Sequence, residues 1–190
     1  MWDRLTQSDM SEYRDHLLAL SPEDRFLRFA GHTNDWTIIQ YVDRLSPDDD
    51  ILVYRDSGLV VAACHIAELG EGHIEIALSV LASHRGQRIG TRLLKRAMAL
   101  ARMKLAKQIS LVCLSKNQWV VRKVTEFNMD KRFDGGDCHA TGLYTGLSVS
   151  DYSQIILQYI GEMVSANMLM SRTVSKIAQT ITMMNQIPKF

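Results

Sequence analysis

The stretch Ser79-Val80-Leu81-Ala82-Ser83-His84-Arg85-Gly86-Gln87-Arg88-Ile89-Gly90-Thr91-Arg92-Leu93-Leu94 decides the fold, because an apolar strand runs through a basic, glycine-punctuated turn straight into a helix. The first turn of a helix carries backbone N–H groups without intrahelical partners, and aligned peptide dipoles place partial positive charge there. Such a turn is an anion pocket that a phosphate fills. Gly86 and Gly90 let backbone and ligand approach closely.

Upstream, His73 to Leu81 alternates as a strand, with Ile74, Ile76, Leu78 and Val80 on one face and Glu75, Ala77 and Ser79 on the other. The second face thus pairs one acid with two small residues. Before it, Ile51-Leu52-Val53-Tyr54 and the run Leu59 to Ile66 flank Asp56-Ser57-Gly58, a turn sequence, and read as a hairpin. The opening third is helical. Met10, Tyr13, Leu17 and Leu18 mark one helix, and Ser21-Pro22-Glu23-Asp24 caps a second that carries Phe26, Leu27 and Phe29. A third covers Trp36 to Leu45, with Ile38, Val42 and Leu45 on one face and Trp36 and Ile39 adding apolar contacts beside it.

Downstream, Ile89 to about Leu105 forms a helix with Leu93, Leu94, Ala97, Ala101 and Leu105 as its apolar stripe. A strand from Ile109 to Leu114 and a helix from about Gln118 to Phe127 follow, the latter ending at Asn128, a residue that tolerates the left-handed conformation. Gly135-Gly136-Asp137 reads as a turn, and Thr141 to Val149 carries a weaker strand pattern.

With 190 residues and 46% hydrophobic content the chain fits one well-buried domain, here 1–150, and a C-terminal helical extension, 151–190. Lys+Arg at 22 against Asp+Glu at 21 gives no global basic field for nucleic acid or an acidic membrane. Cys64, Cys113 and Cys138 lack metal or redox spacing, the N-terminus lacks a signal-peptide core, and no stretch has the length and apolarity of a membrane span, so a cytoplasmic protein is expected. The tail is methionine-rich and helical in pattern, dominated by Ile155, Ile156, Tyr159, Ile160, Met163, Val164, Met168 and Leu169. A helix added over the sheet is the plainer reading; a homodimer seam or partner-binding helix is the sharper one.

The order strand, strand, strand with an acid, basic glycine turn, helix, strand, helix resembles the GNAT-type N-acetyltransferase superfamily over roughly residues 5 to 147. Its pattern of Gln or Arg, two residues, Gly, one residue, Gly or Ala maps on Arg85-Gly86-Gln87-Arg88-Ile89-Gly90, with Arg88 in place of the central glycine. A second family element resembles Asn117 to Met129, where the usual Gly-Phe has become Asn128-Met129 and the tyrosine that protonates the leaving thiolate falls at Val124. The segment Leu20 to Phe29 together with the Glu75 strand is most similar to bacterial protein-lysine acetyltransferase relatives.

The resemblance implies an α/β (α+β) fold with a mixed, mainly antiparallel sheet flanked by helices, and acetyl-CoA as acyl donor. It implies that Glu75 is the general base, and that a backbone N–H near Val80 stabilises the oxyanion while the pantetheine arm pairs with the strand edge at Leu78 and Val80. It further implies that main-chain amides of Gln87, Arg88, Ile89, Gly90 and Thr91 cradle the pyrophosphate beyond Gly86, that Arg85 and Arg88 add charge, and that Asn117 supports the cofactor or simply starts its helix.

The resemblance implies a primary amine as acceptor, a protein lysine first and a small polyamine or antibiotic amine second. The reading from another class is a catalytically silent acyl-CoA-binding or interaction module acting through its C-terminal helix. Other residues carry less: His84 reads as exposed, Cys64-His65 and Cys138-His139 lack further ligands so no metal is expected, and Asp48-Asp49-Asp50 reads as a solvated loop. Tyr144 is the nearest downstream tyrosine that could replace the missing acid.

Overall fold

The computed structural model describes residues 1–143 together with Leu157. The C-terminal helical extension apart from Leu157, and residues 144–149 of the Thr141–Val149 strand expectation with Tyr144 among them, lie outside the described residues.

A short strand β1 (Trp2–Arg4) precedes three helices, α1 (Met10–Leu18), α2 (Pro22–Phe29) and α3 (Asp35–Asp43). The starts of α2 and α3 follow from side chains that satisfy orphan amides: Ser21 accepts from the Asp24 N–H at 3.1 Å, and Asn34 from the Thr37 N–H at 2.9 Å. Strands β2 (Asp50–Asp56), β3 (Leu59–Gly70) and β4 (His73–Val80) come next, then α4 (Ile89–Met103), β5 (Gln108–Leu114), α5 (Gln118–Glu126), β6 (Asp130–Asp134) and β7 (Asp137–Leu143). The sheet order is β1-β2-β3-β4-β5-β7-β6, and β4–β5 is its parallel pair. This is the mixed, mainly antiparallel sheet expected.

Alternation along the strands gives the sheet two cores. Ile74, Ile76, Ile109 and Leu111 bury one face against Leu93, Leu94, Ala97 and Met98 of α4 and Val120 and Val124 of α5. Ile51, Val53, Val60 and Ala63 bury the other against Tyr13 and Leu17 of α1 and Ile38 and Val42 of α3. Each fully buried Leu or Ile contributes about 1.5–3 kcal/mol.

Four local expectations need correction. Leu105 does not extend the α4 stripe: it lies beyond the helix with φ of 61° and is 63% exposed, because the chain turns there to enter β5. Trp36 sits in the first turn of α3, 67% exposed, and adds no core contact. The Gly135-Gly136 turn joins β6 to β7, so the strand begins at Asp137 rather than Thr141. Its inward residues include Cys138 and Ala140, small side chains that give little β signal, and all five residues of β6 are exposed, so no apolar alternation marks it. Asp48-Asp49-Asp50 is not simply a solvated loop either. Asp50 is buried against Arg4 and Lys104, and Asp49 meets His65 Nε2 at 3.0 Å and the Glu68 N–H at 3.1 Å.

Candidate active site

The site begins where a ladder ends. Strands β4 and β5 pair only at His73↔Gln108, Ile74↔Ile109 and Glu75↔Ser110, although β4 continues to Val80 and β5 to Leu114. Beyond Glu75 the two strands therefore splay into a wedge. The Leu81 N–H donates to the Val61 carbonyl at 2.9 Å, toward β3, and the Gly72 carbonyl accepts from the Lys107 N–H at 2.8 Å, on the opposite edge. Because peptide groups alternate along a strand, the amides of Ile76, Leu78 and Val80 face the wedge. These are the main-chain donors and acceptors that an extended ligand uses when it adds itself to a sheet edge.

At the mouth of the wedge stands the N-terminus of α4. The N-cap residues of α2, α3 and α5 each accept a hydrogen bond from their own first turn, but Arg88 at the start of α4 makes none, and no acid occupies the first turn. Its leading amides are left for an external anion. Gly86 has φ of 78° with open space where a Cβ would be, so conformation rather than crowding calls for glycine there. Gly90 has the opposite reason. A Cβ on it would come within 3.2 Å of Trp119 and 3.3 Å of Val80, so its bareness seats α4 on the protein rather than leaving room for a ligand. Arg88 itself has φ of 59°, the left-handed region that suits the glycine it replaces.

A cavity of about 630 Å³ joins the two features. Of the residues expected at the site, Leu78, Val80, Arg85, Gly86, Arg88, Ile89, Gly90, Thr91 and Asn117 line it, whereas Gln87 is exposed outside it. Glu75 does not line it: the cavity reaches β4 at Leu78, about 10 Å further along the strand. Glu75 sits at the vertex of the wedge, opposite Ala67 and Ser110, on the face shared with Ala77 and Ser79. Asn117 starts its helix, its Oδ1 accepting from the Val120 N–H at 3.4 Å, and it also lines the cavity. Arg85 is held by Asp24 and donates through Nε to the Val80 carbonyl at 3.3 Å. His84 is less exposed than expected: it lines the cavity with Nε2 3.2 Å from Asp56.

On the Ser79 face, His16 Nδ1 lies 3.1 Å from the Val60 carbonyl, which can only accept, so Nδ1 carries the proton and Nε2 accepts from the Ser79 hydroxyl at 2.9 Å. Burial lowers the His16 pKa from 6.5 to about 4. Val124 is fully buried in the core and has no proton to give. Missed altogether in the sequence were Asp24, Leu27 and Arg28, one face of α2, and Trp119, Arg122 and Lys123 of α5, all in the lining. Spacing of three and four residues across Asp24, Leu27 and Arg28 was the available signal. Among the described residues no three His, Cys, Asp or Glu side chains gather as a metal site, and no helix is long and apolar enough to cross a membrane.

This wedge-and-helix arrangement agrees with the sequence match: the profile of the Acetyltransferase (GNAT) family covers residues 2–122. The chain belongs to the GNAT family of acetyltransferases. Solved structures share its fold at low identity. The GNAT domain of S. lividans PAT is 17% identical with a TM-score of 0.63, covering 75% of this chain and 89% of that one. The paia N-acetyltransferase from Thermoplasma acidophilum, solved with coenzyme A, is 14% identical with a TM-score of 0.56, covering 76% and 99%. YncA, a putative acetyltransferase from Salmonella typhimurium solved with acetyl-CoA, is 14% identical with a TM-score of 0.55, covering 78% and 96%. Among curated proteins none matches.

Proposed function

We propose that this chain transfers the acetyl group of acetyl-CoA to a primary amine by direct attack. The observation that carries the reading is the meeting, in one cavity, of an unpaired strand edge at Leu78–Val80 with the uncapped N-terminus of α4. These fit the donor as a chemical object: an extended arm with amide groups for the edge, and phosphates for the amides of Ile89, Gly90 and Thr91 with Arg88 beside them. Acetyl-CoA, when bound, supplies an activated thioester carbonyl.

The Val80 N–H, aimed into the wedge, donates to that carbonyl oxygen as negative charge gathers on it. The acceptor amine is protonated at neutral pH, with a reference pKa of about 10.4, and must first lose a proton. Glu75 receives it through water, over the space that the small side chain of Ala77 leaves on their shared face. As the nitrogen–carbon bond forms, the carbon–sulfur bond breaks. The thiol of coenzyme A resembles that of cysteine, with a reference pKa of about 8.5, so it leaves as thiolate without the acid that Val124 lacks.

One observation favours a binding-only reading, namely that the cavity stops short of Glu75. Thiol release from acetyl-CoA, measured over a panel of amines and lysine peptides, separates the two. Amine-dependent release supports transfer, and silence in a protein that binds acetyl-CoA supports the binding module.

A further inference from the structure

Arg28 enters the cavity from α2 and makes no ion pair with a carboxylate among the described residues, its helix neighbour Asp24 being paired with Arg85. Its Nη2 donates to the Tyr41 hydroxyl at 2.8 Å and the Tyr13 hydroxyl at 3.1 Å, and the guanidinium lies 4.9 Å from the Phe29 ring centre and 5.5 Å from that of Tyr41. These contacts hold the cation in place but do not neutralise it. Its Nε is buried with no hydrogen-bond partner, and its Nη1 makes no hydrogen bond with a described residue. Nε is enclosed by protein and out of a ligand's reach, whereas Nη1 is left to take a partner.

The rest of the cavity cannot supply that partner. Its two acids are already taken, Asp24 by Arg85 and Glu126 by Lys123 at 2.6 Å. Arg88 stands at the phosphate end, with the start of α4. Arg28 stands at the other end: Tyr41, which it holds, contacts His65 Nδ1 at 2.6 Å, and His65 is the strand partner of Ala77. The cation is thus tied to the Ala77–Ser79 face, and it lines the same cavity as Ser79 and Val80.

We propose that Arg28 binds a carboxylate of the acceptor, so that the substrate class is an amino acid, amine and carboxylate in one small molecule, rather than a purely cationic amine. The proposal rests on the acetyl-transfer reading and narrows it. Charge-assisted pairing with a guanidinium fixes the orientation of the molecule, and a fixed carboxylate sets the amine against the thioester. The same carboxylate chemistry on the acyl chain of the donor, as in a succinyl thioester, is the other source.

The test compares L-alanine, β-alanine and L-lysine with ethylamine and cadaverine, the same skeletons without the carboxylate, in kcat/KM with acetyl-CoA and in calorimetric binding to the protein saturated with coenzyme A. The expected preference for at least one amino acid is about tenfold or more. That ratio falls toward one in Arg28→Gln and is partly kept in Arg28→Lys, which retains the charge and guards against a variant that fails to fold. Equal kcat/KM across each pair in the wild type, or a preference that survives Arg28→Gln, overturns the carboxylate site and leaves transfer intact. Carboxylate-dependent binding with no turnover on any amine overturns transfer and leaves the site. A preference for succinyl-CoA over acetyl-CoA with ethylamine as acceptor moves the carboxylate to the donor and overturns the acceptor assignment.

Discussion

The carboxylate of Asp24, in α2, is paired with the guanidinium of Arg85, in the loop between β4 and α4. The pair ties the acceptor-side helix to the basic loop and cancels one of the charges facing the cavity. Asp24→Asn leaves that charge uncancelled. Affinity for acetyl-CoA is expected to rise severalfold at low ionic strength, and the gain to fade as salt screens it. The stability cost is under about 1 kcal/mol, because the Arg85 side chain is 51% exposed. Calorimetric titrations at low and high salt check this; weaker binding in the variant would mean that Asp24 instead sets the pose of Arg85.

Arg88 occupies a left-handed conformation that costs an ordinary residue about 1 kcal/mol and glycine almost nothing. Arg88→Gly is expected to raise the melting temperature by about 2–4 °C for a protein of this size, while weakening acetyl-CoA binding through the lost cation. Thermal unfolding and titration of the same sample read the two opposed effects. A lower melting temperature would mean that the guanidinium stabilises the loop in ways its contacts do not reveal.

Glu75→Gln keeps the shape of the wedge vertex and removes the proton acceptor. Turnover with an amine is expected to fall at least tenfold, with acetyl-CoA affinity little changed, because Glu75 lies outside the cavity lining. Steady-state kinetics and titration together decide. Unchanged turnover removes Glu75 from the mechanism.

His16 gives the fold a pH dependence of known sign. Its folded pKa, lowered from 6.5 to about 4, means that the unfolded chain takes up a proton in that window and the native chain does not. This contribution to stability is complete above pH 6.5 and is lost as pH falls from there to about 4, a difference on the order of 3 kcal/mol. Urea unfolding of wild type and His16→Gln between about pH 7.5 and about pH 4.5 tests it: the variant has the shallower slope. Equal slopes would mean that His16 protonates in the native state.

Much of the fold could be read because burial and period coincide. The Ile74–Val80 alternation, the Ser21 cap and the α4 stripe from Leu93 to Ala101 each state their structure locally. What could not be read depends on partners distant in the chain. Asp50 looks like surface until Lys104 and Arg4 reach it, and β6 is a strand because β7 pairs with it, not because of its own pattern. In the site the same division holds. The basic turn announces an anion pocket, but the wedge is a register fact, and Arg28 becomes a cavity cation only when α2 packs over β4.

The central claim is that the wedge and the α4 N-terminus form one acyl-CoA site. Titrating acetyl-CoA into the full chain by calorimetry tests it most directly. The account predicts micromolar binding, about −8 kcal/mol, weakened when S-acetylpantetheine, which lacks the pyrophosphate, replaces acetyl-CoA in a parallel titration. No binding at millimolar concentration would contradict it, and would mean that neither the unpaired strand edge nor the uncapped helix serves a coenzyme A ligand.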